Sequence, residues 1–252
     1  MKIYPLGVGG GFTSRFYHNN YLFEEDNKKL LVDAGTTLRY SLRTAQVAVE
    51  DIDYLLITHL HFDHVGGLEE LLMRRFWTSP KKCRKIEIII HTEQVIPLKR
   101  LLEPSLCNQG LTLNDYCQLR IVKENEPLVA GPFQLNIINT SHLHVPDLPS
   151  IAFTIKGLSS KWNILFSGDI KNIWDSQFIN FINEETKLIF QDICFKKNNV
   201  HASLQEVLSY YPPSIHDKIC AMHYEDDIES YVEDIQNGNI QLVQQGVPIL
   251  IE

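Results

Sequence analysis

Short apolar runs bounded by polar turns recur along the chain, and between several of them lie segments whose apolar residues repeat at helical spacing. The opening "KIYPLGVGGGF" reads as a strand running into a glycine turn, and "NNYLFEE" and "KKLLVDAG" read as a hairpin around "DNK". Leu38 to Gln46 predicts a helix with Leu38, Leu42 and Ala45 on one face and Thr36 or Thr37 as its cap. After an acidic turn, Tyr54 to Ile57 is a continuous apolar strand of the kind covered by helices on both faces. Leu68 to Phe76 predicts the next helix, with Leu68, Leu71, Leu72 and Arg75 in register. The strand "KIEIIIH" follows, then a mostly helical stretch from Gln94 to Leu119, interrupted by Pro97, Pro104 and Gly110.

The second half is again rich in strands: "LRIVK", "PFQLNIINTSH", "SIAFTIKG", "KWNILFSGD" and "KLIFQDI". It closes with a helix from Ala202 to Tyr210, the strand "KICAMH", a polar helix through "IESYVEDIQNG" and a short strand in "VPILIE". No repeat has a fixed period and no linker is long enough to separate a pair of domains, so residues 1–252 read as one domain of two sheets with helices outside them.

Composition narrows the function classes. Hydrophobic residues make up 44% and charged residues 21% of the 252, which is globular. The formal net charge of −8 argues against many phosphate contacts along a nucleic acid, so any phosphate recognition is expected to be local. No apolar run approaches the roughly 20 residues of a membrane span, and the start lacks a secretory leader pattern, so the expectation is a cytoplasmic protein with no membrane contact. Cys83, Cys107, Cys117, Cys194 and Cys220 are odd in number and scattered, which suits reduced thiols.

The strongest signal lies just past the Tyr54 to Ile57 strand. In "THLHFDHVGG", His59, His61, Asp63 and His64 fall within six consecutive positions at the mouth of a turn. Imidazoles suit zinc and similar ions, and a carboxylate adds the anionic oxygen a second ion needs. His59 and His61 can share one ion while Asp63 and His64 swing toward another. A merely solvated loop would have little reason to concentrate four such ligands.

This stretch resembles the H-x-H-x-D-H signature of the metallo-β-lactamase fold, whose remaining motifs occur here in order. The resemblance implies an α/β, four-layer αββα sandwich of two mixed sheets. It further implies His142 in "LNIINTSHLHV" as the third histidine, Asp169 in "ILFSGD" as a bridging carboxylate, His223 in "ICAMH" as the last ligand, and Asp33 in "LLVDAG" as a support beside the site. His59, His61 and His142 would hold one divalent ion, and Asp63, His64 and His223 the other, with zinc expected and manganese or magnesium as alternatives. His144 competes for the third position because "SHLH" offers both histidines; His142 is favoured because it comes directly off the strand.

Paired ions suit in-line displacement at phosphorus, which favours a phosphodiester. "LGVGGGF", "SGD", "HAS" at His201 to Ser203 and "KICAMHY" are similar to the ribonuclease Z branch of this fold. His201 would donate a proton to the leaving oxygen or bind a phosphate oxygen, beside Asp63 and Asp169 as catalytic groups; otherwise it caps the helix that follows. The basic tRNA-binding arm of that branch has no counterpart between Asp169 and His223, and "QDIC" stands where a His-Glu pair is expected. "GGGFTSRFYHNNYLFE", "LLVDAGTTLRYSL" and "HFDHVGGLEELL" look instead like the cyclic-nucleotide phosphodiesterases of the anti-Pycsar type. That resemblance implies hydrolysis of a 3′,5′-cyclic mononucleotide to a 5′-monophosphate, evasion of cyclic-nucleotide immune signalling, and a homodimer. A tRNA 3′-processing endonuclease, a glyoxalase-like thioesterase and a non-catalytic nucleotide binder are the alternatives. His91 and His216 read as structural or solvated; His18, Asn19 and Asn20 lie near the glycine turn, and Tyr17, Phe62 or Trp174 could stack on a base.

Overall fold

The apolar runs become strands wherever polar turns let them pair, and they assemble into two sheets. The computed structural model describes residues 1–79, 84–124 and 126–251, so Cys83 lies outside the described residues. The first sheet is built from β1 (Lys2–Gly7), β2 (Asn20–Glu25), β3 (Lys28–Val32), β4 (Tyr54–Leu56), β5 (Ile86–His91) and β6 (Cys117–Val122). The second contains β7 (Pro127–Ala130), β8 (Phe133–Asn139), β9 (Ile151–Gly157), β10 (Asn163–Phe166), β11 (Thr186–Asp192), β12 (Ile219–Met222) and β13 (Gln241–Leu242), and β14 (Ile249–Leu250) returns to the edge of the first. Both sheets are mixed: β1–β2–β3 and β7–β8–β9–β10 pair antiparallel, whereas β3–β4–β5–β6 and β10–β11–β12–β13 pair parallel.

Strand alternation sorts side chains between two apolar layers. Tyr21, Phe23, Leu30, Val32 and Leu56 face the interior between the sheets, where they meet Phe133, Leu135, Phe153, Phe166 and Phe190. Tyr21 packs edge-on to Phe166 and Phe190, with ring centroids 5.3 and 5.1 Å away. Leu22, Leu31, Leu55, Ile88 and Ile90 face the opposite way, against α1 (Leu38–Thr44), α3 (Leu68–Trp77) and α4 (Val95–Leu106), and α2 (Phe62–Val65) sits at the strand ends. α5 (Leu113–Tyr116) joins that layer, while α6 (Leu204–Tyr210) and α7 (Val232–Asn237) pack Val207 and Ile235 against the second sheet. The result is the expected four-layer αββα sandwich. Among the described residues, no helix is long and apolar enough to cross a membrane.

Several local expectations need correction. Thr37 occupies the N-cap of α1 but makes no side-chain cap bond; its hydroxyl accepts from the His18 amide at 2.7 Å, while Thr36 donates to the Phe62 carbonyl at 3.2 Å. These hydroxyls tie loops together at the site end of the sheets. α4 runs through Pro104 to Leu106, and Pro97 falls in its first turn, where an amide hydrogen has no partner to lose. The helical stretch ends earlier than expected, because β6 already begins at Cys117. β7 and β13 have no forerunner among the expected strands. They are short edge elements, and β7 opens on a proline.

Candidate metal centre

Every ligand loop leaves the same end of the two sheets. β4 stops at Leu56, and the following Thr58 is clamped by Asp33, whose carboxylate accepts from the Thr58 amide at 2.8 Å and from its hydroxyl at 2.7 Å. Asp33 sits just after β3 in the left-handed region, φ 63°, a conformation aspartate tolerates better than most residues. The other function of its carboxylate is to contact His64 Nδ1 at 2.8 Å, which turns Nε2 of that ring toward the site. Asp192 stands in a comparable place on the second sheet, at longer range. Its Oδ1 lies 3.5 Å from His223 Nδ1, leaving His223 Nε2 to face Asp63 at 3.3 Å.

The second sheet contributes Asp169, His144 and His223. Asp169 follows β10 through Ser167 and Gly168; Gly168 has φ +60°, and a Cβ there would stand 2.7 Å from the Ile151 carbonyl, so the turn requires glycine. His223 ends β12 with φ 62°. Here the structure corrects the sequence-based choice of third histidine. β8 ends at Asn139, and His142, at φ 72°, is turned outward and exposed, its Nδ1 accepting from the Asp147 amide at 3.2 Å. His144 is the one buried among the ligands, held by a 2.7 Å contact between its Nδ1 and the Val200 carbonyl. A loop rather than the strand end delivers the ring, so proximity to the strand was the wrong guide.

Two donor sets result. Ring nitrogens of His59, His61 and His144 lie within 4.8 Å of one another, as do the donor atoms of Asp63, His64, Asp169 and His223. Asp169 Oδ2 stands between the sets, 3.3 Å from His64 Nε2 and His223 Nε2 and 3.8 Å from His59 Nε2 and His144 Nε2. His61 Nδ1 lies 3.0 Å from His59 Nε2 and 3.2 Å from His144 Nε2. Three imidazole nitrogens turned toward one point suit a shared cation, because a neutral ring offers a lone pair there. His64 Nε2 and Asp169 Oδ1 are buried with no hydrogen-bond partner, a costly state for polar atoms unless an ion completes it. The residues therefore fit divalent ions.

Electrostatics separate the two sets: burial would lower His64 and His223, but Asp169 and the other carboxylates beside them prevail and raise both. Burial pushes His59, His61 and His144 down from the ordinary histidine range, keeping them neutral and able to donate lone pairs. Burial alone would raise Asp63 and Asp169, but the neighbouring His223 and His64 outweigh it and hold both carboxyls well below the usual range.

His201 does not cap a helix. Ser203 does so, its hydroxyl accepting from the Glu206 amide at 3.3 Å. His201 Nδ1 instead meets Asp192 Oδ2 at 2.8 Å, and its ring lies 4.7 Å from His223 and 5.0 Å from His144, centroid to centroid. Burial would lower its pKa, but the charge of Asp192 and the bond to it prevail and lift it to about 9. The glycine turn also belongs here: a Cβ on Gly11 would come 2.8 Å from Asp63 Oδ2, a close approach only glycine permits. Elsewhere, His91 is buried against Glu124 at 3.0 Å, and His216 contacts the Tyr211 carbonyl at 2.9 Å rather than standing free in solvent. The Tyr17 hydroxyl pairs with that of Thr44 at 3.0 Å, and Trp174 packs edge-on to Tyr210.

Two mixed sheets in an αββα sandwich, with a histidine–aspartate cluster at their common end able to hold metal, define a protein of the metallo-β-lactamase fold. Solved structures bear this out: the metallo-β-lactamase fold protein YhfI from Bacillus subtilis superimposes with a TM-score of 0.76 at 19% identity, covering 98% of each chain. The short form of human tRNase Z gives 0.75 at 17% identity over 100% of each chain. The sequence model described as "Anti-Pycsar protein Apyc1" matches residues 1–249. The anti-Pycsar protein Apyc1 of Paenibacillus sp. (strain J14) is 35% identical over 251 residues, 97% of both chains. This chain belongs to the anti-Pycsar Apyc1 family.

Proposed function

We propose that the chain is a single-domain, binuclear phosphodiesterase that opens 3′,5′-cyclic mononucleotides to 5′-monophosphates and so quenches cyclic-nucleotide immune signalling. The observation that carries this reading is Asp169 Oδ2, set 3.3–3.8 Å from histidines of both donor sets. His59, His61 and His144 would hold one divalent ion, zinc by the preponderance of imidazole, and Asp63, His64 and His223 the other, with Asp169 within reach of both sets. Such a pair, when bound, lowers the pKa of a water and clamps attacking and leaving oxygens.

The chain's own groups position the rest. Asp33 and Asp192 hold the rings of His64 and His223 so that Nε2 of each faces inward. His201, kept protonated by Asp192, presents Nε2 to the departing 3′ oxygen. Water adds to phosphorus and loses one proton, the P–O3′ bond breaks, the 3′ oxygen leaves as a hydroxyl with the His201 proton, and the proton lost by water restores His201. The net charge of −8 favours a small substrate over a tRNA precursor. The test is to incubate the metal-loaded chain with cyclic AMP, GMP, CMP and UMP, precursor tRNA and an acyl-glutathione, and separate the products by chromatography. The expected product is a 5′-monophosphate from the cyclic mononucleotides. Inertness toward all four, or turnover confined to the tRNA or the thioester, refutes the proposal.

A further inference from the structure

We infer that Phe12 and Phe62 form a stacking platform that receives the base of the substrate, a role that rests on the phosphodiesterase reading above. Phe12 is 95% exposed and Phe62 49% exposed, both far more than their apolar rings favour without a partner. The two rings lie 5.9 Å apart at 45°, and Phe62 rests edge-on against His18 at 5.6 Å. Neither ring is at a remote surface. Phe62 separates His61 from Asp63 in the chain, and Gly11, next to Phe12, lies so near the Asp63 carboxylate that an added Cβ would come 2.8 Å from its Oδ2.

The loop that carries Phe12 is fastened at its base rather than left to collapse. The Gly10 amide donates to the Tyr224 carbonyl at 3.1 Å, and the Thr13 amide donates to the Gly10 carbonyl at 3.2 Å. Asp226 accepts from the Thr13 hydroxyl and from the amides of Ser14 and Arg15 at 2.8 and 3.0 Å. Phe12 therefore stands at the tip of an anchored turn. A cavity of about 190 Å³ is lined by Phe12 and Gly10 together with Asn198, His201 and His223. A phosphate seated at the histidines would direct a planar heterocycle toward this aromatic wall. Stacking needs only a π face, so the platform distinguishes a diester with a base from one without.

Calorimetry on the full-length, metal-loaded chain with 5′-AMP and with ribose 5-phosphate reads the platform independently of turnover. Wild type is expected to prefer 5′-AMP by roughly 5- to 150-fold, the range expected for one stacked base. Phe12→Ala and Phe62→Ala should each remove a large part of that preference, and Phe12→Trp should retain it. The ratio of kcat/KM for cyclic AMP to that for an abasic deoxyribose 3′,5′-cyclic phosphate should fall in parallel. Turnover by wild type with no preference for the base overturns the platform and leaves the phosphodiesterase standing. Base preference without any turnover does the reverse. If light scattering shows Phe12→Ala dissociating a dimer while the base preference persists, Phe12 is a contact between copies and the inference fails.

Discussion

Replacing His144 and His142 in turn separates what the structure asserts from what chain order suggests. His144 Nε2 lies 3.2 Å from His61 Nδ1 and 3.8 Å from Asp169 Oδ2, so with His59 it is one of four donors that would converge on one ion under the proposed assignment. A zinc site of four protein donors binds with an apparent free energy of about 10–16 kcal/mol at neutral pH, or about 2.5–4 kcal/mol for each donor. His144→Ala should therefore weaken that site roughly 10²- to 10³-fold and abolish turnover at ordinary metal concentrations. His142 is exposed, and its visible tie is the Asp147 amide at 3.2 Å. His142→Ala should change stability by less than about 1 kcal/mol and metal affinity not at all. Competition titration against a chromophoric chelator, with elemental analysis of dialysed protein, measures both variants. A His142→Ala protein that loses an ion while His144→Ala keeps two would refute the ligand set and reinstate the histidine nearer the strand end.

Asp33→Asn keeps a residue that accepts the left-handed backbone but loses the charge that orients His64, so metal affinity should drop about 10–100-fold with little change in melting temperature; an unchanged affinity would detach Asp33 from the centre. His201→Ala should cut kcat on cyclic AMP by about 10²–10⁴, yet far less on a p-nitrophenyl phosphodiester whose leaving group departs unprotonated. Equal losses on both would assign His201 to binding rather than proton donation. Phe166→Ala, which empties a fully buried position stacked on Phe153 at 5.1 Å, should lower the free energy of urea unfolding by about 3–5 kcal/mol, and a loss below about 1 would mean the space between the sheets is not closely packed.

The most legible candidate ligands are those written contiguously. His59, His61, Asp63 and His64 follow one short apolar strand, and no long-range information is needed to see that they share a loop. Asp169 and His223 were singled out by motif order, Asp169 through the small-residue turn that follows β10 and His223 by its place directly after β12. His144 was not. The aim of a side chain in the loop of residues 140–150 depends on tertiary ties, such as the 2.7 Å contact to Val200, that no local pattern records. Asp192 carried a weak signal, standing in "QDIC" where a different pair was expected, but its contact with His201 and His223 joins three separate segments. Phe12 is marked in the sequence only as an aromatic placed directly after glycines, and it takes the exposure of its ring to reveal that it is not core. The sheets themselves were largely visible from alternation and apolar runs, and the missed edges β7 and β13 were too short to show a period.

The division of ligands between the sheets has a mechanical consequence. His59, His61, Asp63 and His64 lie past β4 of the first sheet, the last two in α2, and His144, Asp169 and His223 lie past strands of the second. Each ion would thus be a rivet through both halves, sharing its binding energy with the seam where they meet. Chelation should then loosen the rim before it melts the body, so that proteases cut first near the ligand loops, and resupplied zinc should close the rim again.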